Sequence, residues 1–140
     1  MCSINLMRGV VYIMEAIYTV TTTKSFDEAV KSVEEQTKAS GFRVLYIHDV
    51  QATLAEKNFK IEPLKILEVC NAKFASNALD IDLVVSLLMP CKINVYSEKG
   101  KILISTIRPT SLASIFNKEE IEAFAEDVEK ILINIIDQSH

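Results

Sequence analysis

The sequence predicts an α+β domain, a mixed and largely antiparallel sheet with helices packed on it. Three observations point there. β-rich runs alternate with segments of helical periodicity along most of the chain, so both element types contribute. Two of those runs, residues 91–96 and 101–107, are separated only by Ser97, Glu98, Lys99 and Gly100, a turn composition that makes them a hairpin. A hairpin demands an antiparallel pair, which excludes a wholly parallel, doubly wound sheet. The third observation is a long amphipathic run near the end of the chain, whose apolar stripe must be buried across a sheet.

The elements follow in order. Residues 16–23 are β-branched and aromatic (Ile17, Tyr18, Val20, then three threonines) and predict a strand. Ser25 begins a helix: its hydroxyl can cap the free amides while Glu28 reaches back, with Asp27 suiting the positive first turn. Phe26, Ala29, Val30, Val33 and Thr37 recur at helical spacing until Gly41 supplies the stop. A second strand, 42–48, follows directly, and Asp49 closes it and can cap a short helix over 50–58. Val50, Leu54 and Ala55 lie on one side of that helix, with Glu56, Lys57 and Asn58 on the other.

Pro63 marks the entry to a strand over 64–70 with no clean polar face, which predicts a central position. Asn71 can cap a helix from 72 to about 79, with Phe74, Ala75 and Ala78 on one face. The apolar run 81–89 is broken by Pro90. In the hairpin, Ile93, Val95, Ile102, Ile104 and Thr106 are expected on one side, and Pro109 ends the second arm. The last helix is the clearest element: Ile121, Phe124, Ala125, Val128, Ile131, Leu132, Ile135 and Ile136 keep the i, i+3, i+4, i+7 rule. Asn117 is its expected cap, and Glu119 and Glu120 suit its positive end.

Composition narrows the function classes. With 49% hydrophobic and 24% charged residues, and only 3 Gly and 3 Pro in 140, no disordered or fibrous class competes. A net charge of −4 with no basic run argues against nucleic acid as a partner. Three unevenly spaced cysteines do not make a secreted disulfide framework, so reduced thiols and a cytoplasmic location are expected. The apolar stretch after Arg8 is cut short by Glu15 without a cleavage signature, and no run is long enough for a membrane span. Residues 1–13 are expected to be a dispensable extension, with Met14 an alternative start, and 14–140 a single domain without repeats or linkers.

A family resemblance runs through Ser25-Phe26-Asp27-Glu28-Ala29-Val30, Gly41-Phe42, Asp49-Val50-Gln51-Ala52-Thr53-Leu54, Ile66-Leu67, Cys70-Asn71, Ala78-Leu79, Pro90-Cys91 and Pro109. In that order and spacing the chain resembles the domain of unknown function 302 family. The resemblance implies a small prokaryotic α+β fold with an antiparallel sheet, likened to the TATA-binding-protein arrangement, and association as a dimer. It implies no activity. The chain departs from the family pattern at Ala72, where proline commonly follows Cys-Asn, and at Lys92, where asparagine commonly follows Pro-Cys.

Familiar catalytic fingerprints are absent. There is no Cys-x-x-Cys or His-x-x-x-His, and His48 and His140 are the only imidazoles. Gly9, Gly41 and Gly100 are too far apart for a phosphate loop, and no serine sits in a nucleophile elbow. The sequence identifies no catalytic residue, cofactor or metal. Cys70 ends one strand and Cys91 begins another. As neighbours, with Met89 nearby, they would suit a redox pair, a thiol nucleophile or a soft metal such as Cu(I). Cysteine also packs as a small hydrophobe, the reading that base rates favour. His48 and Asp49 are adjacent strand residues that point to opposite faces, which suits Asp49 to capping rather than to orienting a base. Phe42, Phe74 and Phe124 stand at core spacing.

The candidate ligand-binding residues are therefore Asp49, Cys70, Asn71 and Cys91. The expected function is a homodimeric binding or assembly module for a small ligand or partner protein, the apolar surplus of the last helix favouring a symmetric contact. The alternative is a thiol-dependent redox or soft-metal protein using Cys70 and Cys91.

Overall fold

The structure, a computed structural model, describes residues 16–140. The expected extension over 1–13 lies outside the described residues. Five strands form one sheet: β1 (Ile17–Thr22), β2 (Arg43–Asp49), β3 (Leu64–Cys70), β4 (Cys91–Glu98) and β5 (Lys101–Ile107). Their order is β1-β5-β4-β3-β2, and every neighbouring pair is antiparallel. Thus β3 is interior, and β4 holds the middle.

The helices are α1 (Phe26–Ala39), α2 (Val50–Ala55), α3 (Ala72–Ile81), α4 (Pro109–Ala113) and α5 (Glu119–Ser139), with 3-10 turns over Leu83–Leu88 and Ser114–Phe116. The predicted caps form at three starts. Ser25 and Glu28 make a reciprocal capping box on α1, Asp49 accepts from the Ala52 amide at 2.9 Å, and Asn71 accepts from the Phe74 amide at 3.1 Å.

The expected Asn117 cap does not form. Asn117 adopts a left-handed backbone (φ 51°), and Lys118 stands at the N-cap of α5 without a side-chain hydrogen bond. Ser114–Phe116 closes as a 3-10 turn, with the Asn117 amide donating to the Ser114 carbonyl, so the chain reverses at Asn117 before α5 begins. Pro109 ends β5 as expected and also opens α4, where its fixed φ and missing N–H suit a first helical position.

Strand alternation sorts the core. On one face, Leu67, Val69, Ile93, Val95 and Ile104 are fully buried against Ala29, Val30 and Val33 of α1 and Val128, Leu132, Ile135 and Ile136 of α5. The hairpin residues expected to share a side do so: Ile93, Val95, Ile104 and Thr106 are buried and Ile102 packs against them. The other face is mixed: Ile17, Tyr46 and Ile107 are exposed, and Thr19, Asn94 and Ser105 lie in register across its middle.

A second, separate cluster of buried side chains, Ala78, Val85, Ala113, Ile121 and Ala125, joins α3, the Leu83–Leu88 turn, α4 and the first turns of α5. Phe124 packs against both clusters.

Candidate functional site

The core is divided because the elements around the second cluster meet through small side chains. Ala75 of α3, Ala113 of α4 and Ala125 of α5 stand where larger residues would close the gap, and one end of a cavity of about 890 Å³, shared with the sheet, lies there. Phe42, Phe74 and Phe124 form one wall: Phe42 and Phe74 are 6.0 Å apart between ring centroids, and Phe74 meets Phe124 edge-to-face at 5.3 Å. The cavity continues past the end of the sheet at Cys70 and Cys91 onto the mixed face, where Lys92, Asn94, Tyr96 and Ser105 line it.

The polar residues of that stretch are linked. Ser105 Oγ lies 2.7 Å from Thr19 Oγ1 and 2.9 Å from the Tyr96 hydroxyl, joining β1, β5 and β4 through one hydroxyl. On the far side, the Leu83–Leu88 turn is tethered by Asp82, which caps it through the Val84 amide and accepts from Lys118 Nζ at 2.7 Å. The Lys118 hydrogen bond, then the Val84 amide, holds the Asp82 carboxyl below the usual carboxylate range.

Of the four residues singled out from the sequence, Cys70, Asn71 and Cys91 line the cavity and Asp49 does not. Asp49 is occupied in capping α2. Asn71 is engaged at both ends of its amide: Oδ1 accepts from Phe74 and Nδ2 donates to the Gly41 carbonyl at 3.0 Å, tying the start of α3 to the end of α1.

The expected cysteine pair does not exist. Val69 pairs with Cys91, so Cys70, one residue on, turns to the opposite face, and the two thiols form neither a disulfide nor a close sulfur pair. Burial, and secondarily the charge of Cys70, pushes the Cys91 thiol up to about 11. Burial also raises Cys70. Neither is an activated thiolate. Among the described residues no group of three or more His, Cys, Asp or Glu is placed to hold a metal.

His48 takes a partner that the sequence did not suggest. Its Nε2 lies 2.7 Å from Glu68 Oε1, and its ring meets Tyr46 edge-on at 4.6 Å between centroids. Twenty positions separate the pair, and the irregularity between Val44 and Tyr46 shifts the register that brings them together. No local pattern could have shown this.

The fold agrees with what the comparisons find. The family model described as a domain of unknown function, DUF302, matches residues 18–139. The chain belongs to the DUF302 family. Among solved structures it is similar to the crystal structure of an uncharacterized conserved DUF302 protein from Bacillus stearothermophilus. The two are 35% identical with a TM-score of 0.86, and the match covers 89% of this chain and 98% of that one. No curated protein matches the sequence. As a DUF302 protein the chain shares the fold of that relative. Among the described residues no helix is long and apolar enough to cross a membrane.

Proposed function

We propose that this DUF302 chain is a binding module that takes a small ligand into the cavity running from between α3, α4 and α5 onto the mixed face of the sheet, and works as a two-fold dimer. The observation that carries the ligand reading is the cavity. At 890 Å³ it lies within the roughly 300–1,000 Å³ of small-molecule sites, and apolar walls with a few convergent polar groups are their usual composition. Cys70, Asn71 and Cys91 enter this reading as wall residues, supplying shape rather than reactive thiols.

The dimer reading rests on apolar surface. Leu83, Val84 and Leu87 share one 3-10 turn at 74%, 52% and 81% exposure. A soluble monomer rarely presents so concentrated an apolar patch, and an isologous contact is the commonest way to cover one.

Titrating the native protein with the apolar dye 8-anilinonaphthalene-1-sulfonate tests the cavity. Saturable binding at one site per chain, weakened at least tenfold by Ala75→Phe, is the expected result. Binding that Ala75→Phe leaves unchanged overturns it. Light scattering at micromolar concentration tests assembly: a mass of twice 15.7 kDa supports the dimer, and 15.7 kDa refutes it.

A further inference from the structure

The charge distribution around the cavity goes further than its size. Three lining residues are ionisable as acids or bases outside the thiol and phenol classes: Glu62, Lys92 and Glu98. They are not mixed together. Glu62 and Glu98 lie at the end of β4 where Ser97 bonds to Glu62 and to the Pro63 carbonyl. Lys92 lies at the other end of β4, six residues from Glu98, a separation of about 20 Å at the usual rise per strand residue.

Lys92 is also the lining charge nearest in register to the apolar compartment. It follows Cys91, which packs against the main core cluster, and it pairs across the strands with Glu68. Glu68 is held by His48 at 2.7 Å. Among the described residues the ion pairs are His48–Glu68, Arg108–Glu129 and Lys118–Asp82, so the Lys92 ammonium is in none of them. The compartment beyond it, walled by Phe42, Phe74 and Phe124 with Ala75 and Ala125, carries no charge.

We infer that the ligand is a single-chain amphiphile of the fatty-acid class, its apolar chain in the compartment between α3 and α5 and its anionic head at Lys92. This rests on the reading of the cavity as a ligand site and names the chemistry it accepts. A cation outside the ion pairs, beside an uncharged apolar chamber, matches such a molecule at both ends: the chain replaces water against aromatic and aliphatic walls, and the head meets an ammonium. The reverse orientation would bring the head to Glu62 and Glu98, where like charges repel. A polyanion such as a nucleotide would meet one cation and two carboxylates. A cationic amphiphile would be opposed by Lys92, the lining charge next to the apolar chamber.

Calorimetric titration of the native full-length chain with dodecanoate and, separately, with 1-dodecanol tests this, using wild type, Lys92→Glu and Ala75→Phe. Lys92 is exposed, so its variant keeps the fold, and thermal melts check that both variants do. The expected result is saturable dodecanoate binding at one site per chain, weakened at least tenfold by Lys92→Glu and by Ala75→Phe. Dodecanol should bind more weakly than dodecanoate to wild type and ignore the Lys92 change. Equal binding of both ligands, with Lys92→Glu inert but Ala75→Phe effective, overturns the anionic class while leaving the cavity as a ligand site. Failure of both ligands to bind, or binding indifferent to Ala75→Phe, overturns the fatty-acid inference. Loss of dye binding in the preceding titration would remove the cavity reading as well.

Discussion

Val69 and Cys91 face each other across β3 and β4, which sets the Cys91 thiol against the buried side of the sheet. Because burial raises this thiol from its ordinary 9.0 to about 11, the folded state holds the proton more tightly than the unfolded chain. The associated stability is complete below pH 9 and is lost as pH rises from about 9 toward 11, on the order of 3 kcal/mol in full. Urea denaturation of wild type and Cys91→Val at pH 8 and pH 10.5 should show a steeper alkaline loss in wild type. At pH 7.5 iodoacetamide should leave Cys91 unmodified until the protein unfolds. Rapid native alkylation would contradict its burial.

Glu129 holds α4 against α5. Its Oε1 accepts from the Thr110 backbone amide at 3.1 Å and from the Thr110 hydroxyl at 2.6 Å, while Oε2 lies 3.7 Å from Arg108. Glu129→Ala leaves partly buried donors without an acceptor, at a cost of about 2–3 kcal/mol. Thr110→Val removes one donor only and should cost about 1 kcal/mol. Urea midpoints of the two variants should fall in that order. Equal midpoints would mean that the carboxylate contributes nothing beyond the hydroxyl.

The turn between β4 and β5 needs a positive φ at both central residues, 51° at Lys99 and 78° at Gly100. A Cβ on Gly100 would meet nothing within 4 Å, so the penalty for Gly100→Ala is conformational rather than steric, about 1 kcal/mol. Gly100→Asn, which tolerates the left-handed region, should recover part of it. Thermal melts of both variants decide the matter, and an unchanged Gly100→Ala would mean that the turn readjusts freely.

Leu132 of α5 is fully buried in the main core cluster between α1 and the sheet. Leu132→Ala should destabilise by about 2–5 kcal/mol, through lost transfer energy and the hole left behind. Ala125→Leu, beside the existing cavity, should be tolerated far better because space is already present. Denaturant unfolding of the pair compares a filled core with an unfilled one.

The helix starts were legible because a cap is a conversation between residues three apart. Ser25 with Glu28, Asp49 with Ala52 and Asn71 with Phe74 need nothing from elsewhere in the chain. The β4–β5 hairpin is of the same kind, its turn chemistry lying between the arms it joins. Asn117 shows where this logic fails. Its residue type suits a cap, but the short turn it closes left it in the left-handed region instead.

The candidate site was less legible, since nothing in a single segment encodes it. Phe42, Phe74 and Phe124 carry core spacing in three separate stretches of the chain, and only packing turns them into one wall. Alternation along the β4–β5 hairpin was visible, yet the register of β3 on β4 that sends Cys70 and Cys91 apart was not. His48 and Glu68 meet by the same non-local accident of register.

Local chemistry along the chain thus determined the α+β class, the caps, the hairpin and the amphipathic last helix, because each depends on neighbours within a turn or two. Tertiary structure alone decided that β1 pairs with β5, Ile17 opposite Ile107 across ninety positions of chain, and that alanines meet between α3, α4 and α5. Those outcomes depend on which distant apolar surfaces bury one another once the loops close, a competition among whole-chain arrangements that no short window of sequence contains.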